Sequence, residues 1–156
     1  MPVVSTSACV LYTPQEMYQL VNQVSDYPEF IPLCSEARIY ASDPSSMRAS
    51  ITMVKGGLRL NFATENVLTA GQSIEMNLLQ GPFRKLKGLW TFESLDNGGC
   101  EIRFRLDFEF ANALLGMAFG GFFREVGDAM VAAFCRRAQV VYGERKARVV
   151  SVPGAP

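Results

Sequence analysis

The sequence predicts an α+β domain in which a curved antiparallel sheet packs on one long closing helix, and three observations carry that prediction. Between Asn112 and Tyr142 the apolar residues Phe119, Phe123, Val126, Met130, Phe134, Ala138 and Val141 recur at steps of three or four, the spacing of one helical face. From Ala37 to Phe110 the period changes to two, as in strands covered on one side. Short turn-forming links join those alternating segments, and short links make antiparallel neighbours.

Taken in order, Val3 to Leu11 is a β-branched, small-residue run of strand character. Thr13-Pro14-Gln15-Glu16 then starts a helix. Thr13 caps the free amides, Pro14 suits the first helical position and Glu16 returns a bond to the cap. Met17, Leu20, Val21 and Val24 form its buried stripe. In Asp26-Tyr27-Pro28-Glu29-Phe30-Ile31-Pro32 two prolines forbid a continuous helix and the aromatics need cover, so the segment reads as a short helix or turn plugging one end of the domain.

Strands follow. Met47, Ala49, Ile51 and Met53 alternate with Arg48, Ser50 and Thr52, and Gly56-Gly57 turns the chain into Leu58, Leu60 and Phe62. Ile74, Met76 and Leu78 alternate with Glu75 and Asn77, and Leu86, Trp90 and Phe92 continue after the Gly81-Pro82 loop. In the last strand Ile102, Phe104, Leu106, Phe108 and Phe110 alternate with Glu101, Arg103, Arg105, Asp107 and Glu109. Turns at Asp43-Pro44-Ser45-Ser46, Ala70-Gly71 and Asp96-Asn97-Gly98-Gly99 complete a sheet of about seven strands, whose twist curls it around the helix. The final helix also carries Arg124, Glu125, Asp128, Arg136 and Arg137, which exclude a membrane span. Residues 1–146 read as one domain and residues 147–156 as a loose tail.

Composition narrows the chemistry. With no histidine in 156 residues, Ser-His and Cys-His nucleophile pairs are absent, and enzymatic readings would rest on carboxylates, Lys or Tyr. Asp107 and Glu109 fall on the outward phase as partners of Arg103 and Arg105, while Glu125 and Asp128 read as surface ion pairs with Arg124. Cys9, Cys34, Cys100 and Cys135 show no paired spacing and no metal-ligand set, which predicts reduced thiols in a cytoplasmic protein. The first residues carry neither a basic start nor a long apolar run, so no signal peptide is expected.

The inward residues Phe62, Met76, Leu78, Trp90, Phe104, Leu106, Phe108, Phe123, Met130 and Phe134 suit a greasy ligand, or simply fill the core. Lys plus Arg and Asp plus Glu both number 15, so an anionic partner would need a local patch. Two basic clusters offer one: Arg84, Lys85 and Lys87 around the Gly-Pro-Phe loop, and Arg136, Arg137, Arg145, Lys146 and Arg148 at the chain's end. A solvated face, with Lys and Arg also favoured near a helix C-terminus, is the default explanation, and a phosphate-rich partner the sharper one.

Four ordered motifs carry a resemblance: Tyr27-Pro28-Glu29-Phe30-Ile31-Pro32-Leu33-Cys34, Gly81-Pro82-Phe83-Arg84-Lys85-Leu86 with Trp90, Leu106-Asp107-Phe108-Glu109-Phe110, and Met130-Val131-Ala132-Ala133-Phe134-Cys135-Arg136-Arg137-Ala138. Together, over residues 1–146, they resemble the coenzyme Q-binding, polyketide cyclase-like family of START-type domains. The resemblance implies a START-like helix-grip fold, a cavity for ubiquinone or a similar isoprenoid in support of respiration, no required cofactor and no turnover. For a bacterial branch named as toxins it further implies binding to the large ribosomal subunit, with Arg84, Lys85, Lys87, Arg136 and Arg137 as RNA contacts, and a small partner protein. The bacterial branch is the expected one, since no targeting extension like that of mitochondrial relatives is expected here. The catalytic histidines or acids of true cyclases have no counterpart, which leaves a cyclase-like enzyme the remote alternative.

Overall fold

The computed structural model describes residues 3–145. The proposed tail, residues 147–156, and the basic residues Lys146 and Arg148 lie outside them. Strand β1 (Val3–Val10) leads into helix α1 (Pro14–Asn22) and a 3₁₀ turn (Val24–Glu29). Six strands follow: β2 (Cys34–Asp43), β3 (Ser46–Lys55), β4 (Leu58–Thr69), β5 (Ser73–Gln80), β6 (Phe83–Ser94) and β7 (Cys100–Phe110); α2 (Ala113–Tyr142) closes the chain.

Local chemistry explains these boundaries. Thr13 Oγ1 accepts from the Glu16 amide at 3.1 Å while Glu16 Oε1 accepts from the Thr13 amide at 2.9 Å, so both orphan donors of the helix start are satisfied. Asn112 Oδ1 accepts from the Leu115 amide at 2.9 Å and starts α2 in the same manner. At Asp43 the carboxylate accepts from the amides of Ser45 and Ser46, at 2.8 and 2.9 Å, and turns β2 into β3.

The seven strands form one antiparallel sheet in the order β1-β7-β6-β5-β4-β3-β2. Every sequence neighbour from β2 to β7 is also a spatial neighbour, as short hairpin links require, and only β1 crosses to pair with β7. Helix α2 lies on the inner face and buries Phe122, Phe123, Val126, Gly127, Val131, Ala133, Phe134 and Ala138. Each large apolar side chain buried there contributes about 1.5–3 kcal/mol.

The final helix is continuous as predicted, but its face differs from the simple stripe. Val141 is 48% exposed and Phe119 only half-buried. Near its end α2 is covered by α1 on the side of Tyr142, whose hydroxyl donates to the Glu16 carbonyl at 3.0 Å; Val141 points elsewhere. On the sheet, Ser50 and Thr52 are buried despite their polar phase, because Tyr40 and Asn61 cover them and bond to them at 3.1 and 2.8 Å.

Candidate functional site

Between α2 and the concave face of the sheet lies a small apolar cavity of about 60 Å³. The helix supplies Phe123, Val126, Gly127 and Met130. The sheet supplies Ile51 and Met53 from β3, Phe62 from β4, Met76 from β5, Leu86 and Trp90 from β6, and Phe104 and Leu106 from β7. Tyr27, Ile31 and Cys34 close one end. Two glycines shape this space. A Cβ on Gly127 would sit 3.2 Å from Val4 Cγ2, so α2 rides close to β1, and a Cβ on Gly88 would sit 3.0 Å from Met76 Sδ.

Of the ten side chains expected around a cavity, Phe62, Met76, Trp90, Phe104, Leu106, Phe123 and Met130 meet on this wall, and Leu78, Phe108 and Phe134 do not. Phe134 is wholly buried in an aromatic cluster, edge-on to Trp90 at 5.2 Å, to Tyr27 at 5.4 Å and to Phe30 at 5.1 Å. Phe108 is buried against Phe123 at 4.8 Å and Phe110 at 6.0 Å. Leu78 is only half-buried, near the end of β5. Sequence phase places a residue on the inner face without saying whether it meets free space or a neighbour. Ile51, Met53, Leu86 and Val126 carried the right phase and were open to selection. Tyr27 and Ile31 belonged to the plug segment, and nothing local singled out Cys34.

Two titratable groups, Tyr27 and Cys34, face this wall, and burial favours the protonated form of both. Burial, with the neighbouring Cys34 as a smaller cause, pushes the Tyr27 phenol far up, and its hydroxyl donates to the Val21 carbonyl. Burial likewise pushes the Cys34 thiol up to about 11, against a weaker opposing backbone hydrogen bond with Glu36. Among the described residues no carboxylate, Lys or Arg lines the cavity. Among the described residues no group of three or more potential metal ligands comes together.

The basic residues are arranged differently from their expected clusters. Arg84, Lys85 and Lys87 stand on β6 rather than in a loop, and a register shift beside Arg84 turns it toward Glu109, which it meets at 2.6 Å. Lys85 and Lys87 lie opposite Glu109 and Asp107 across the ladder, so cations and carboxylates interleave. Glu109 thus partners Arg84, Arg103 partners Glu101 at 3.0 Å, and Arg105 meets Asp107 at 3.6 Å. Glu125 pairs with Lys55 at 3.4 Å rather than with Arg124, and no ion pair involves Asp128 among the described residues. Arg137 pairs with Glu29 at 3.0 Å and lies 4.9 Å over the Phe30 ring, tying α2 to the 3₁₀ turn. Arg136 is exposed.

Residues 10–135 match the family described as polyketide cyclase/dehydrase and lipid transport. The chain belongs to that family. Within it, a relative from Escherichia coli (strain K12) named ribosome association toxin RatA is 48% identical over 93% of this chain and 92% of its own. The mitochondrial coenzyme Q-binding protein coq10 of Schizosaccharomyces pombe is 27% identical over 83% of this chain and 82% of its own. A START superfamily protein from Mycobacterium smegmatis superposes with a TM-score of 0.70 at 20% identity, covering 89% of this chain and 98% of that one. The likeness is one of fold, and it makes the curved seven-strand sheet with its long closing helix a START-like helix-grip domain. Among the described residues, no helix of this family member is long and apolar enough to cross a membrane.

Proposed function

We propose that this chain is a non-enzymatic binding domain for ubiquinone or a similar isoprenoid, held in the cavity between α2 and the sheet and serving respiration. The observation that carries the reading is the wall itself: almost entirely apolar, with its two titratable groups held protonated by burial and no acid-base or nucleophilic pair among the described residues. The coenzyme Q-binding name of the fission yeast relative supports the same ligand class. The free volume of about 60 Å³ is below the roughly 150 Å³ of an apolar cavity that takes benzene. A quinone ring therefore enters by displacing side chains, and the unbranched Met53, Met76 and Met130 on the wall are suited to move. Four free cysteines accord with a cytoplasmic location.

Trp90, the single tryptophan, stands on the cavity wall and reports occupancy. Titration with a short-chain ubiquinone analogue is expected to quench its fluorescence saturably. Linear, non-saturating quenching together with no isoprenoid in solvent extracts of the purified protein would reject the reading.

A second reading is favoured by the toxin name of the Escherichia coli relative: binding to the large ribosomal subunit, blocking subunit association, with a small cognate partner protein. Lys85, Lys87 and Arg136 are the exposed cations, outside the ion pairs of the described residues, that such a surface would use.

A further inference from the structure

Helix α2 is apolar on two faces over its first turns. One face packs on the sheet through Phe119, Phe122 and Phe123. The other, Leu114, Met117, Ala118 and Gly121, follows the i, i+3, i+4, i+7 spacing of a single stripe and is exposed throughout, with Leu114 at 75% and Met117 at 82%. No charged residue falls between Glu109 and Arg124. A helix face that meets only water is ordinarily polar, so a contiguous apolar one marks a contact surface.

The surroundings of that face indicate its partner. Arg84 and Arg124 line an open groove beside the helix start, and Lys85 stands opposite Glu109 at the groove's edge. The tip of the β3–β4 hairpin is held near α2 by Lys55 and Glu125, and it presents Leu58, 40% exposed, next to Arg59. On the groove, the hairpin tip and the turn of α2 that follows the stripe, the cations Lys55, Arg59, Arg84, Lys85 and Arg124 outnumber the carboxylates Glu109, Glu125 and Asp128. An apolar helical stripe set among cations matches a bilayer with anionic headgroups: the apolar residues enter the acyl boundary while Lys and Arg stay at headgroup level.

We infer that the first turns of α2 and the β3–β4 hairpin tip dock this protein on the surface of an anionic bilayer. The docking stands on the exposed face alone, and only its purpose, loading the cavity, rests on the function proposed above. That purpose has a geometric basis. The groove is lined by Phe108 and Phe110, whose rings lie 4.8 and 5.8 Å from that of Phe123, and Phe123 is itself part of the cavity wall. One aromatic side chain thus separates the membrane-facing groove from the interior.

Flotation with vesicles of phosphatidylcholine alone, or mixed with phosphatidylglycerol, tests the inference. The protein is expected to float with the anionic vesicles, less with the neutral ones, and less as salt is raised. The double substitution Leu114→Glu and Met117→Glu touches two exposed side chains outside the cavity and should lower the bound-to-free ratio about tenfold or more. Its Trp90 quenching by a soluble quinone analogue should be unchanged, which separates docking from ligand binding. Failure of the wild type to float with anionic vesicles, or equal flotation of the variant, would overturn the docking and leave the binding function standing. A wild-type dimer that the substitutions convert to monomer would also overturn it, by giving the face to a second copy of the chain.

Discussion

The indole of Trp90 meets the ring of Phe134 edge-on, with centroids 5.2 Å apart and planes at 85°, and both side chains are essentially inaccessible to water. This contact joins β6 to the C-terminal half of α2. It also backs one side of the cavity wall with a residue that is not part of it.

Removing that backing should therefore cost stability before it changes specificity. Phe134→Ala is expected to destabilise the fold by about 3–5 kcal/mol, since the aromatic cluster around it cannot fully collapse. Denaturant unfolding monitored by Trp90 emission measures the loss. A cost near zero would mean that the cluster with Tyr27 and Phe30 does not hold α2 to the sheet.

Two glycines of α2 should respond oppositely. Gly121 is exposed and a Cβ there meets nothing within 4 Å, so Gly121→Ala should stabilise by up to about 1 kcal/mol through helix propensity. Gly127→Val should destabilise by about 1–3 kcal/mol, because Val4 Cγ2 already lies 3.2 Å from the first added carbon. Thermal melts of the pair check the ordering, and equal shifts would contradict the close approach of helix and β1.

Arg145 bonds to both carboxylate oxygens of Glu16, at 2.5 and 2.7 Å, and this contact holds the Glu16 carboxyl at about 2, well below its usual 4.5. Burial opposes that effect more weakly. A lowered folded-state value means that the stabilisation is complete above about pH 4.5 and is lost as pH falls toward 2. Glu16→Gln keeps a residue able to serve the helix cap but loses the ion pair. The variant should thus be less stable than wild type at neutral pH, and the two should converge in acid. A stability gap that persists unchanged below pH 3, against the roughly two-unit window named here, would assign the effect to the cap alone.

For the ribosomal reading, co-sedimentation with isolated large subunits at low and moderate salt is decisive. Phosphate contacts release counterions, so binding should weaken steeply with salt. Lys85→Ala with Lys87→Ala should weaken it further while changing stability by only about 0.5 kcal/mol, as for other surface sites. Wild type remaining in the supernatant would remove this reading, and equal sedimentation of the variant would move attention to Arg136.

Much of the architecture was legible because it follows from local pattern. The Thr13–Glu16 capping box, the start of α2 at Asn112 and the alternation of Ile102 through Phe110 all involve residues within a few positions of one another, where sequence spacing and spatial spacing coincide. The candidate site was legible only in part. Phe104 and Phe108 share a face of β7, yet Phe104 meets the cavity and Phe108 meets Phe123 and Phe110.

By itself, then, the sequence determined the elements, their order and which side of each strand or helix is apolar, since those depend on periodicities of two and 3.6 and on caps a few residues long. Only the tertiary structure decided which inner residues border free space, that Cys34 joins Trp90 and Met130 around it, that Arg84 turns to Glu109, and that Leu114 and Met117 face water. Each of these outcomes depends on where a second element ends relative to the first. That distance is set by sheet twist, strand register and the packing of bulky side chains over many residues, and no local pattern encodes it.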